Sequence, residues 1–179
     1  MATAIIKQKE AIPASYPATP SGLSAAAAAL DPDMIWQRIE SYIAHRYTSR
    51  AIEWIVEGCG EWNPSLAPAT ISTVEQWRSD AWEVVTLSPS PLGGYVLPGG
   101  TYRFTGTVGS GTVPEIVNEA FRRLAEYMAA SKRGSPGTTR ERVTAGSVTV
   151  DKSREASWAA QAMANSGAGD LLRKYRRVQ

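Results

Sequence analysis

The 179-residue chain contains one cysteine, Cys59, and one histidine, His45. A structural zinc site takes about four such ligands, so no zinc finger can be built. A lone cysteine closes no disulfide within the chain, which excludes a stapled secreted framework and agrees with a reducing cytosol. Any Ser-His-Asp triad or Cys-His pair would have to use His45 as its base. His45 sits beside Arg46 at the expected end of a helix, where the dipole favours a cation, and Cys59 stands between Gly58 and Gly60 with no neighbouring Lys or His to activate it. Neither reads as catalytic.

Long apolar runs are also missing. The uncharged stretch 11–30 is interrupted by Pro13, Pro17 and Pro20 and carries several hydroxyl residues, and its pentalanine is barely hydrophobic, so no transmembrane helix is expected. Lys7, Lys9 and Glu10 precede that Pro-broken segment instead of a leucine-rich core, so no signal peptide is expected either. The formal net charge is only +2, yet it is unevenly spread. Residues 1–139 hold 11 basic and 13 acidic side chains, whereas residues 140–179 hold 8 basic and 4 acidic ones. The positive end is the tail, which suits an acidic protein surface, nucleic acid phosphate, or plain solvation.

What is present orders itself along the chain. Residues 1–30, rich in Pro, Ala and Ser, have no sustained period and are expected as an extended or disordered arm. Asp31-Pro32-Asp33 supplies an N-cap acceptor, a proline at the first helical position and a further acid at the positive dipole end. Ile35, Trp36, Ile39, Tyr42 and Ile43 then share one face, which predicts a helix from about Pro32 to Arg46. Ile52, Trp54 and Val56 alternate with Glu53, Ile55 and Glu57, the pattern of a strand; Ala81–Leu87, Tyr95–Leu97 and Thr101–Val108 continue a meander between Gly and Pro turns. Pro114 and Glu115 open the clearest helix, with Ile116, Val117, Ala120, Phe121, Leu124, Tyr127 and Met128 on one side and an end near Lys132-Arg133-Gly134. A short strand at Ser147–Val150 and a third helix from about Ser153 to Asn165 are expected before the closing Asp170–Gln179 segment. The fold class is therefore α+β, a small helical bundle with an inserted antiparallel β subdomain and extended terminal arms. Its parts are an arm at 1–30, a main domain at 31–150 and a C-terminal helix with a basic tail at 151–179.

No constellation of catalytic residues emerges. Glu53 and Glu57 lie at strand spacing on a solvated face, and the glycine-rich run 106–111 lacks the Gly-Lys-Ser/Thr of a phosphate loop. The chain reads as a non-enzyme without metal or cofactor. Trp54, Trp62, Trp77 and Trp82 all fall in the β region, where core or subunit-interface packing outweighs base stacking or sugar binding. Arg173, Lys174, Arg176 and Arg177 form the one charged cluster of interest, open to phosphate, to acidic protein groups or to solvent.

The sequence 66–75 (LAPATISTVE), then Tyr102–Gly109 (YRFTGTVG), Val113–Ala125 (VPEIVNEAFRRLA) and the ending Asn165–Arg177 (NSGAGDLLRKYRR) come in a telling order. From about residue 31 onward the chain resembles the head-to-tail connector, or adaptor, proteins of long-tailed bacteriophages and gene transfer agents. The arm before Asp31 and the Gly/Pro-rich segment 88–100 depart from that pattern and inherit nothing from it. The resemblance implies a structural virion protein assembled in the bacterial host cytoplasm and placed in the neck of the particle. It implies a homo-oligomeric ring of about twelve copies below the portal and above the stopper or tail-completion protein, around the channel through which DNA passes, with no membrane partner. Leu171, Leu172 and Tyr175 would be portal anchors, and Arg173, Lys174, Arg176 and Arg177 would pair with portal carboxylates or lie near DNA. The uncovered tryptophans Trp54, Trp62, Trp77 and Trp82 would serve the subunit interface. The alternative is a small DNA-binding accessory protein that uses the same basic tail.

Overall fold

The computed structural model describes residues 2–131, 140–145, 148–153 and 160–176. Along the chain come β1 (Ala4–Glu10), α1 (Ala25–Ala28), α2 (Pro32–Tyr42), β2 (Arg50–Glu57), β3 (Gly60–Trp62), β4 (Ala69–Arg78), β5 (Ala81–Val84), β6 (Ser88–Pro89), β7 (Tyr95–Leu97) and β8 (Thr101–Val108). Then follow α3 (Glu115–Ser131), β9 (Arg140–Ala145), β10 (Val148–Ser153), α4 (Ala162–Asn165), α5 (Ala168–Leu171) and a 3-10 turn at Arg173–Tyr175. The fold is α+β with antiparallel sheets. Two compact units divide it: a β unit of the residues up to Pro17 with Ala44–Thr112, and a helical unit of Ala18–Ile43 with Val113–Arg176. No helix among the described residues is long and apolar enough to cross a membrane.

In the β unit a five-stranded sheet runs in the order β1-β2-β8-β4-β5, and a smaller one in the order β3-β7-β6. Alternation along β2 and β8 turns Ile52, Trp54, Val56, Tyr102, Phe104 and Val108 inward, where Trp62, Leu66, Val74 and Leu97 complete the core. Trp62 stacks on Phe104 with ring centroids 4.1 Å apart and meets Trp54 edge-on at 5.8 Å. A two-residue turn with Ser79 and Asp80 both left-handed, at φ 48° and 63°, joins β4 to β5. That is the geometry whose twist matches paired strands, and it sets Trp77 opposite Trp82.

Within the arm, Ala4–Glu10 forms a strand of the chain's own five-stranded sheet. β1 pairs antiparallel with β2 through a bulge between Ile5 and Lys7. At its end Glu10 takes a bidentate contact from Arg46, at 2.6 and 3.0 Å, and another from Arg50 at 3.2 Å. Both arginines are buried, so the one carboxylate they share ties the arm to the sheet. Sequence spacing cannot reveal a pairing across 36 to 40 residues.

In the helical unit, α2 begins as expected, with the Asp31 carboxylate accepting from the Asp33 amide at 3.0 Å. It ends four residues before Arg46, because Ile43 turns extended and the following backbone finds other partners. The Ala67 amide donates to Ala44 and the Arg46 amide to Ala67, each at 2.8 Å, so another helical turn is not needed to satisfy them. His45 accordingly lies in a bridge beside Ala67 and not at a helix end.

Helix α3 buries Val117, Ala120, Phe121, Leu124 and Ala125, and Trp36 of α2 meets Phe121 at 4.9 Å. The polar side is pinned as well. Arg122 contacts Glu115 at 2.7 Å and the Ser21 carbonyl at 2.8 Å, while the Glu126 carboxylate accepts from the Ser24 amide and hydroxyl.

Of the expected third helix, Ala162–Asn165 is helical and residues 154–159 lie outside the described residues, while Ser153 ends β10, which pairs with β9 from Val148–Ala145 to Ser153–Arg140. β-branched Val148, Thr149 and Val150 favour the strand expected there, which runs on to Ser153 as β10. Lys132, Arg133 and Ser147 lie outside the described residues.

Candidate functional site

The closing segment carries three exposed cations, Arg173, Lys174 and Arg176. Gly167 adopts the left-handed conformation, φ 72°, which an L side chain enters only with strain, and it redirects the chain into α5. α5 packs on α3. Gly169 of α5 also admits Tyr42 of α2 and the Met163 carbonyl of α4, because an added Cβ would stand 3.0 Å from the Tyr42 hydroxyl and 3.2 Å from that carbonyl. Leu172 is fully buried, Leu171 and Tyr175 are half-buried, and Arg173, Lys174 and Arg176 are exposed.

The expected anchor set therefore splits. Leu172 is buried inside its own unit, and a buried leucine loses apolar contact area if it leaves. Leu171 and Tyr175 retain partly open surface. The Arg176 guanidinium lies 4.8 Å from the Tyr42 ring centre and the Lys174 ammonium 5.0 Å from that of Tyr175, cation–π contacts that orient both heads without neutralising them. Arg173 reaches Asp170 only at 4.0 Å, across a pair that is almost wholly solvated. Arg177 lies outside the described residues.

The four tryptophans separate in the same way. Trp54 and Trp62, expected at a subunit interface, are buried in the core of the β unit. The Trp54 indole N–H donates to Gln8 at 2.8 Å and to Ser65 at 3.1 Å, contacts available only inside this fold. Trp77 is 45% exposed and Trp82 half-buried, meeting edge-on at 5.1 Å on the face of the sheet opposite the core. Arg103 lies 4.6 Å from the Trp82 ring and contacts Glu75 through two hydrogen bonds of 2.6 and 2.7 Å.

Those hydrogen bonds hold the Glu75 carboxyl below the usual carboxylate range. Its folded-state value lies under its unfolded one, so the stabilisation is present above the unfolded pKa and is lost as pH falls through the folded value. Glu75→Gln is expected to cost about 0.5–1 kcal/mol at pH 7, as partly exposed bidentate pairs do. Urea melts of both proteins should converge as the pH is lowered below the ordinary carboxylate range; a difference that persists in acid would show that packing, and not charge, was removed.

The remaining groups weighed from sequence are placed as follows. Cys59 is exposed, and Glu53 takes Lys7 at 3.7 Å. Gly109, at φ 96°, brings its backbone so near Thr48 that a Cβ would lie 2.1 Å from the Thr48 carbonyl oxygen. Its amide donates to the Pro68 carbonyl at 2.9 Å. The 106–111 run thus serves tight closure onto neighbouring backbone. Among the described residues no group of three or more His, Cys, Asp or Glu could hold a metal ion.

An open cleft of about 1290 Å³ lies in the β unit beside Gln8, Ser65 and Tyr95, a feature with no sequence signal because β1 forms one wall. Its central polar groups are spent internally, the Ser65 hydroxyl donating to Gln8 at 2.7 Å. No family model, curated protein or solved structure matches this chain.

Proposed function

We propose that this protein is a structural connector of a virion neck, a homo-oligomeric ring that joins the portal to the stopper or tail-completion protein around the DNA channel, and not an enzyme. The proposed architecture is a small helical bundle carrying an inserted antiparallel β subdomain, with terminal arms. The segments with the connector-like order, Tyr102–Gly109 and Val113–Ala125, supply most of the central strand β8 and much of α3, so the resemblance falls on the framework of both units.

The observation that carries the reading is the closing segment. Leu172 fixes it to its own unit, while Arg173, Lys174 and Arg176 face solvent one turn later, ready for an acidic partner. Like-signed heads held by a buried anchor suit a protein–protein contact in which charge steers and selects. Removing residues from 167 onward would delete part of the helical core, so the variant should be Arg173→Glu, Lys174→Glu and Arg176→Glu together.

Electron microscopy of the full chain mixed with its cognate portal ring should show a stacked ring for the wild type and none for the triple variant. Stacking by both proteins would remove the cations from portal recognition. A wild-type chain that ignores the portal yet binds DNA with a steep salt slope would favour the accessory DNA-binding reading.

A further inference from the structure

We infer that neighbouring copies of this chain join edge to edge through the five-stranded sheet, β1 of one copy pairing in parallel with β5 of the next. The inference names the subunit surface of the ring proposed above and rests on that reading for ring closure. Strand order places β1 and β5 at opposite margins, and among the described residues no other strand pairs along the outer side of either. Every neighbouring pair in the sheet is antiparallel. Four such steps leave β1 and β5 running in the same direction, so a copy related by a modest rotation presents its β1 parallel to β5.

Three observations choose a second copy as the occupant. First, four of the exposed large apolar side chains lie at these margins: Ile5 and Ile6 on β1, and Trp77 and Val84 on the β4–β5 hairpin. Open margins that carry such apolar side chains template pairing with another chain. Second, the margins differ in sign. β1 carries exposed Lys7, which also reaches Glu53 at 3.7 Å, and Lys9, its Glu10 being committed to Arg46 and Arg50, while the β4–β5 hairpin carries exposed Asp80 and Glu83 against one exposed cation, Arg78.

Third, the faces match. The ladder aligns Lys7, Ile55, Arg103, Glu75 and Val84 in one row across the sheet, so Lys7 and Val84 end the same row on the same face. A head-to-tail repeat sets the lysine stems of one copy against Val84 and Trp82 of the next, where aliphatic packing and cation–π attraction operate together. β1 against β1 would instead bring the Lys7 and Lys9 pairs of two copies together, and like charges across strands destabilise the pairing. A contact between two different margins is heterologous, and such contacts generate closed rings when the rotation closes.

The test replaces Cys59 with Ser in the full-length chain and adds Lys7→Cys with Val84→Cys, or Lys9→Cys with Val84→Cys, followed by a short bismaleimide. The expected result is a ladder of species at multiples of the 19.3 kDa chain for a double variant and no cross-linked species for any single one. Dimers from Lys7→Cys alone, dimers from Val84→Cys alone, or no ladder from either pair with and without portal would overturn the pairing. As a second readout, backbone amides of β1 and β5 should gain hydrogen-exchange protection on assembly; unchanged exchange in an assembled ring also overturns it. A ladder without portal stacking would sink the connector reading and leave the edge pairing standing, whereas stacked rings without a ladder would do the reverse.

Discussion

Leu172→Ala is expected to destabilise the helical unit by about 2–5 kcal/mol, the range for truncating a fully buried leucine, because none of its surface is exposed. The loss has two parts: the apolar contact of the missing methyl groups, and the cavity that α5 and its surroundings close only partly. Charge reversal at Arg173, Lys174 and Arg176 should leave the melting temperature nearly unchanged, since exposed charges contribute about 0–1 kcal/mol each. Thermal melts of the two variants separate anchor from recognition surface. If Leu172→Ala melts like the wild type, the leucine is no core residue and its assignment to a portal crevice regains force.

Trp54→Ala should be the most damaging single change in the β unit, costing about 3–5 kcal/mol, as loss of a large buried aromatic does. It empties the space beside Trp62 and leaves Gln8 and Ser65, which now accept from the indole N–H, without that donor. Trp77→Ala, at a 45% exposed position, should alter stability by less than about 1 kcal/mol and should instead weaken association between copies. Urea denaturation at equal protein concentration gives the first quantity and sedimentation the second. Equal losses of stability at both positions would contradict the division between core and margin.

Pro32 and Asp31 with the spacing of Ile35, Trp36 and Ile39 were enough to place α2, and the same argument placed α3 and the alternating strands β2 and β8. These are local or periodic properties: capping, dipole compensation and side-chain direction depend on residues within a turn or two. The end of α2 was not legible, because Ala44 and Arg46 bond to Ala67, more than 20 residues away. Nor was β1, whose short run of Ile and Lys has little period and takes its place only because β2 offers an edge and Arg46 and Arg50 require a carboxylate.

The candidate site was half legible. The basic run near the C-terminus is visible as composition, whereas the assignment of Leu172 to the interior and of Leu171 to partial exposure depends on which side of α5 meets α3. Trp54 and Trp77 look alike in sequence, each an aromatic in an alternating strand. Which face is covered is decided by the small sheet and its Trp62, a contact that no spacing encodes.

By itself, then, the sequence determined the α+β class, the starts of the two main helices, the alternating strands, and the exclusion of a zinc finger and an intrachain disulfide. Only the tertiary structure decided which tryptophans and leucines are spent inside the fold, how the arm is held, and which strands stand at the margins of the large sheet. The physical reason is range: capping and periodicity act over a few residues, while burial and ion pairing across tens of residues exist only once the chain has closed on itself.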